Sequence, residues 1–208
     1  MNQKYLKNKR ESKTNGFTII EVMISVALFI IVVMAGMGAL LNANAVHQKS
    51  QNMRSIMDNL SFITEEMSRN IRTGYDYHCI DNSYTLDLDN IPTDPLSCAV
   101  SAGTYGWALS FKSPDTSGNV NQWLYYFDND TGNLYKIVNN GPKIQLNPDE
   151  VKFNLGYASR FSVNGAEPGD DKQPFVIIKL SGLITSTKDG VTSPFSLQTA
   201  VSQRLVDM

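Results

Sequence analysis

The residues from Phe17 to Leu41 constrain this chain more than any others. The run is 25 residues long and 20 of them are apolar. As a helix rising about 1.5 Å per residue it covers a hydrocarbon core of about 30 Å, so it is predicted to span a membrane. Its one ionisable residue is Glu21, and a carboxylate there costs on the order of a few kcal/mol unless something neutralises it, which marks it as functional. If the chain is cut just before Phe17, the new α-ammonium stands one helical turn from Glu21, about 6 Å along the axis. Cleavage would then supply the counter-ion.

Charge is distributed unevenly around this segment. The first 16 residues carry Lys4, Lys7, Lys9, Arg10 and Lys13 against Glu11; of the 18 basic and 20 acidic residues in the 208-residue chain, 13 basic and 19 acidic remain beyond Gly16. Basic residues flanking a span stay in the cytoplasm, which places everything after Leu41 outside. The acidic remainder argues against nucleic acid as a partner, because phosphate binding needs a basic face. The length suffices for one soluble domain plus the membrane helix. Two other readings of the N-terminus stay open. Ala43, Asn44 and Ala45 form an A-x-A-like site for signal peptidase after Ala45, although the apolar run exceeds the usual length of about 7–15 residues and Glu21 has no reason to sit inside it. An unprocessed anchor explains the span but neither Gly16 nor Glu21.

A short basic leader ending in Gly16, then Phe17, Thr18, the aliphatic pair Ile19 and Ile20, Glu21 and a long apolar helix resembles the class III signal of type IV pilins and type II secretion pseudopilins. The resemblance covers about residues 13–41. It implies cleavage between Gly16 and Phe17 by a prepilin peptidase on the cytoplasmic face, N-methylation of Phe17, and packing of the hydrophobic helices with those of other pilin or pseudopilin subunits into a filament. Glu21 matches the position that pairs with a mature N-terminus during assembly. The implied location is the inner membrane, crossed once with the C-terminal domain outside, and then a pilus or pseudopilus. One departure is that Gly36 and Gly38 stand where major pilins usually carry a proline; glycine lowers helix propensity by about 1 kcal/mol relative to alanine, which allows local loosening. The ending Leu197–Arg204, LQTAVSQR, resembles the last strand of minor pilins and pseudopilins of the PulJ or PilW type.

Beyond the span, Met53, Ile56, Met57, Leu60, Ile63, Met67 and Ile71 recur at spacings of three and four. They form one apolar stripe on a helix whose other face carries Lys49, Arg54, Asp58, Glu65, Arg69 and Arg72. No proline interrupts Phe17–Thr73, so one helix is predicted over that range, about 85 Å long, with Gly74 as its C-terminal cap and Arg69 and Arg72 at the negative end of its dipole. The stripe is read as core packing rather than a partner groove. From Trp107 the period changes to two. Val151, Phe153, Leu155 and Tyr157 alternate with polar residues as in a half-buried strand; Gln122–Phe127 and Leu134–Val138 flank a turn at Asp128–Asn133; Phe175–Ile184 is a long strand in which Gly182 points to a bulge or bend. Phe195, Leu197 and Val201 alternate in a last strand that closes the sheet. The fold class is therefore α+β, a long N-terminal helix, half transmembrane and half amphipathic, packed on a C-terminal antiparallel sheet as in pilins. The divisions are a leader 1–16, a transmembrane and assembly helix 17–41, its amphipathic continuation 42–74, a variable loop 75–106 and a sheet domain 107–208.

Cys79 and Cys98 are the chain's two cysteines and enclose 18 residues. In an exported, oxidising compartment an isolated pair is read as bridged, worth on the order of 3 kcal/mol. A metal site is the sharper alternative, with His78 as the one nearby addition, and it falls short of four ligands. Asp128, Asp130 and Gly132 look like the start of a calcium loop but lack its later ligands and closing glutamate, so they are read as turn residues, as are Asp170 and Asp171. The aromatic run Trp123, Tyr125, Tyr126 and Phe127 is read as core and sheet surface rather than a ligand platform. With His47 and His78 as the only histidines, no G-x-S-x-G and no phosphate-loop lysine, neither an enzyme nor a cofactor is expected. The expected function is a prepilin-like structural subunit, a minor one. The alternative is an adhesin or binding module displayed at a pilus tip, with Tyr75–Gly106 as its variable face.

Overall fold

The computed structural model describes residues 16–83, 85–88, 90–98, 105–115, 117–156, 158–169, 172–185 and 192–204. One helix, α1 (Ile19–Arg72), precedes nine strands: β1 (Tyr75–Asp81), β2 (Gly106–Pro114), β3 (Val120–Phe127), β4 (Leu134–Val138), β5 (Ile144–Gln145), β6 (Val151–Phe153), β7 (Arg160–Asn164), β8 (Phe175–Thr185) and β9 (Thr192–Ser202). The chain divides into two compact units, one ending at Gln48 and the other beginning at Lys49. The leader expected over 1–16 lies outside the described residues apart from Gly16.

The first unit is helical from Ile19 onward, through Gly36 and Gly38 without interruption. Its most apolar 18-residue window has a mean hydropathy of 2.7, and none of it is buried by the rest of the protein. The helix is long and apolar enough to cross a membrane. Phe17, Ile19, Ile31, Val32 and Met34 are all more than 60 % exposed, and apolar surface left uncovered on this scale marks a face that lipid or other subunits cover.

The second unit begins with the remaining helix, and the predicted stripe is its buried face. Leu60, Ile63, Met67 and Ile71 are buried and Met53, Ile56 and Met57 pack against the same core, while Lys49, Arg54, Asp58, Glu65, Arg69 and Arg72 are exposed. All strand pairs are antiparallel, and the sheet runs β5-β4-β3-β2-β7-β8-β6, with β1 on β2 and β9 on β8. Leu109, Phe111, Tyr125, Phe127, Phe161, Ile178 and Leu180 share the core that contains the helix stripe. Their strand neighbours Ala108, Leu124 and Tyr126 belong to a second core on the other face, closed by Ile80, Ile91 and Leu86. This explains the near-continuous WLYYF of β3, since a strand buried on both faces has no need to alternate. The aromatic run is thereby shared between two cores.

The segment 75–106, read from sequence as a loop, opens with β1, which buries Tyr77 and Cys79 in the main core. The described residues among 82–98 then cross the outer face of the sheet. Ser110 Oγ donates to the Pro92 carbonyl at 2.7 Å and Trp107 Nε1 to the Asp81 carbonyl at 2.8 Å. Leu96 bridges to His78 and Cys98 to Val163.

Three local expectations change, and one strand appears that none of them covered. Gly74 is not in the left-handed conformation of a glycine cap; its N–H donates to the Ile71 carbonyl at 2.9 Å, and a Cβ there would stand 2.6 Å from Phe111 Cδ2, so ring packing requires the glycine. The strand expected over Val151–Tyr157 stops at Phe153, because Asn154 N–H turns to the Ser181 carbonyl and Gly156 adopts φ +81°; Tyr157 lies outside the described residues. Gly182 makes no bulge, since β8 and β9 pair in unbroken register through it. It instead admits β6, for a Cβ at Gly182 would stand 2.9 Å from both the Lys152 carbonyl carbon and Phe153 Cα. Finally, β7 carries no signal read from the sequence and is held by its pairing with β8. Replacing Gly182 by alanine is expected to push β6 away and destabilise the sheet by about 1–3 kcal/mol, read as a lower unfolding temperature in near-UV circular dichroism of the detergent-solubilised protein.

Candidate processing and assembly site

Gly16, Phe17 and Thr18 are non-helical and α1 begins at Ile19. Thr18 is the residue that stops it. The Thr18 carbonyl accepts the N–H groups of Glu21 at 3.1 Å and Val22 at 3.2 Å, and its hydroxyl accepts the Glu21 N–H at 3.3 Å, the arrangement of a helix N-cap. Thr18 and Glu21 stand in the spacing of a capping box, Thr-x-x-Glu. That signal is present in the sequence beside the reading of Glu21 as a membrane charge and assembly residue. Glu21 also lies in the first turn, where the helix dipole favours an anion. Ser25 Oγ donates to the Glu21 carbonyl at 2.8 Å.

The peptide between Gly16 and Phe17 thus precedes the helix by two residues. Phe17 is 80 % exposed, and a Cβ at Gly16 would meet nothing within 4 Å. Among the described residues nothing places a steric demand for glycine at this position.

Cys79 and Cys98 form a disulfide with Cα atoms 5.6 Å apart. It lies at the junction of the two halves of the sheet, where among the described residues β2 meets β7 through the single pair Gly106 and Phe161. A Cβ at Gly106 would lie 2.8 Å from Cys98 Sγ and 2.7 Å from the Phe161 carbonyl oxygen, with Cys79 Sγ closer still. The metal alternative loses its ligands here, for both sulfurs are bonded to each other and His78 Nδ1 lies 2.5 Å from the Asp94 carbonyl oxygen. Beside the bridge, the Glu167 carboxylate accepts the Ser97 hydroxyl at 2.6 Å and the Ser97 N–H at 3.0 Å. The hydroxyl bond is the main cause that holds the Glu167 carboxyl below its usual range, against an opposing desolvation, with the Ser97 N–H and Lys172 helping.

At the calcium-like turn, Asp128 Oδ1 accepts the N–H groups of Asp130 at 2.9 Å and Thr131 at 3.4 Å, and Gly132 takes φ +67°. These are the uses of Asp and Gly in a turn. Desolvation raises the Asp128 pKa, but these bonds and Lys143 together outweigh it and leave it lowered. Asp170 and Asp171 lie outside the described residues.

Residues 12–37 match the family model of the prokaryotic N-terminal methylation motif. That span contains Gly16, Phe17 and Glu21, and the match supports a prepilin-like protein of the type IV pilin kind. No curated protein and no solved structure matches the chain.

Two outcomes follow from the bridge region. Protein recovered from the cell envelope is expected to resist thiol alkylation until reductant is added, at both Cys79 and Cys98. Because the folded pKa of Glu167 is depressed, its stabilising contribution is full above the ordinary value of 4.5 and is lost as pH falls from there through the folded value. Thermal unfolding against pH should show this loss in the wild type and a shallower dependence in Glu167→Gln.

Proposed function

We propose that the chain is a prepilin-like structural subunit, a minor one, of a type IV pilus or type II secretion pseudopilus, acting by assembly and not by catalysis. The observation that carries the reading is the methylation motif over residues 12–37 at the head of a helix whose apolar first half has no intramolecular cover. A prepilin peptidase cuts after Gly16, Phe17 is N-methylated, and the helix remains in the inner membrane with residues after Leu41 outside. Glu21 then pairs with the α-ammonium of a mature Phe17 as the subunit docks among other pilin or pseudopilin subunits, which removes a lone carboxylate from hydrocarbon. Nucleic acid has no part in this scheme. A second reading, a binding module at a filament tip, is favoured by the fixation of residues 82–98 over the outer sheet face by Ile91 and the Cys79–Cys98 bridge.

Mass spectrometry of the N-terminus is expected to find N-methylated Phe17 as the first residue, and Gly16→Leu is expected to retain the leader. A start at Val46 would instead indicate signal peptidase, and an intact Met1 an unprocessed anchor. Glu21→Gln keeps the size of the side chain and removes its charge. The variant should still be cut and remain in the membrane, yet crosslink poorly to neighbouring subunits in sheared filaments; wild-type incorporation at normal expression would exclude the electrostatic role.

A further inference from the structure

The outer face of the sheet carries a cavity of about 420 Å³ lined by Asn82, Thr85, Leu86, Tyr105, Trp107 and Asn129. That volume falls within the range of about 300–1,000 Å³ typical of small-molecule sites. It lies far along the chain from the processing motif and plays no part in the assembly chemistry described above.

Its chemistry is specific in what it lacks. Every described lining residue is uncharged, and only Leu86 is aliphatic. Among the described lining residues neither an anion nor a cation finds a counter-charge. What the cavity does offer is two half-buried aromatic rings, Tyr105 and Trp107, with the exposed amides of Asn82 and Asn129 and the exposed Thr85 hydroxyl around them. An amide side chain carries both donors and an acceptor, as do the hydroxyl groups of a sugar, and an aromatic ring covers the C–H face of a pyranose by apolar contact.

The rings are set before any ligand arrives. Trp107 is held by its Nε1 bond to the Asp81 carbonyl and by the edge-on ring of Tyr126, 6.5 Å away between centroids. Tyr105 is tied through its N–H to Asn82 Oδ1 at 3.2 Å, and its ring lies against Gly156, where a Cβ would stand 3.6 Å from Cζ. A site fixed in this way loses little freedom on binding.

We propose that this pocket binds a neutral saccharide of one or two hexose rings, with Trp107 and Tyr105 as the stacking surface and Asn82, Asn129 and Thr85 as hydroxyl partners. The inference does not depend on filament assembly, since binding is measured on the unassembled subunit. The chain has two tryptophans, so Trp123→Phe leaves Trp107 as the sole reporter. The full chain in that background, in a detergent without a sugar headgroup, is titrated with lactose, cellobiose and N,N′-diacetylchitobiose while tryptophan emission is followed. At least one is expected to give a saturable change in the millimolar range or tighter. Asn129→Ala, in an exposed loop position, is expected to weaken it by about tenfold or more at unchanged melting temperature, and Asn82→Ala, which also loses the bond to the Tyr105 N–H, is expected to weaken it at least as much. No saturable change with any of the three sugars, or binding that neither asparagine variant weakens, would overturn the proposal.

Discussion

In the second unit, the stripe that ends in Leu60, Ile63, Met67 and Ile71 has to be covered, and the sheet is built around covering it. Each such side chain contributes about 1.5–3 kcal/mol when removed from water, and the amphipathic pattern gives the helix one face on which to gain it. The end of the helix is fastened as firmly as its stripe. Tyr77 Oη lies 2.6 Å from the Ile71 carbonyl oxygen and 2.7 Å from that of Gly74, and Arg204 N–H donates to the Arg72 carbonyl at 2.9 Å. Orphan carbonyls at a helix C-terminus need such donors. Phe111 packs beside this end, its ring 5.9 Å from those of Tyr77 and Tyr125 and 6.2 Å from Trp123.

Polar contacts set the register of helix on sheet more than they add energy. Glu66 pairs with Lys136 at 2.5 Å, and Lys136 Nζ also lies 5.9 Å above the Trp123 ring. Asn70 donates to the Tyr125 hydroxyl at 3.0 Å, and burial pushes that phenol well above the usual tyrosine range. The two halves of the sheet meet with few backbone bonds of their own. The disulfide, Gly106 and the Cys98–Val163 bridge supply there what a longer strand pairing would otherwise provide. Ser97 and Glu167 tie the same segment from outside, so the crossing over the outer face is anchored at its end.

The N-terminal unit is governed by the opposite condition. Its apolar surface has no cover among the described residues, which fits a segment that lipid or other subunits cover. Thr18 sets where the helix begins and thereby leaves Gly16 and Phe17 outside it and exposed. In the proposed processing, the cut falls two residues ahead of that capped helix. The same cap places Glu21 in the first turn, so one residue serves both the helix terminus and, in the proposed assembly, the incoming ammonium.

Local chemistry made much of this legible in advance. The span, the motif from Gly16 to Glu21, the stripe from Met53 to Ile71 and the hairpin around Asp128–Asn133 depend on residues close together in the chain, and periodicity or turn geometry is enough to read them. The cysteine pair was legible because the chain holds two cysteines and no third to compete for either. What could not be read depends on which strands become neighbours. Gly74, Gly106 and Gly182 are glycines because a ring, a disulfide and a strand backbone come against them from distant parts of the chain, and nothing local distinguishes that demand from a cap or a bulge. The division of β3 between two cores and the existence of β7 likewise follow from long-range pairing. The sequence by itself determined where the chain enters its helix and which helical face is buried. Tertiary structure alone decided how residues 82–98 close over the sheet and bring Tyr105, Trp107 and Asn129 around one cavity, because their meeting is set by strand order and not by spacing.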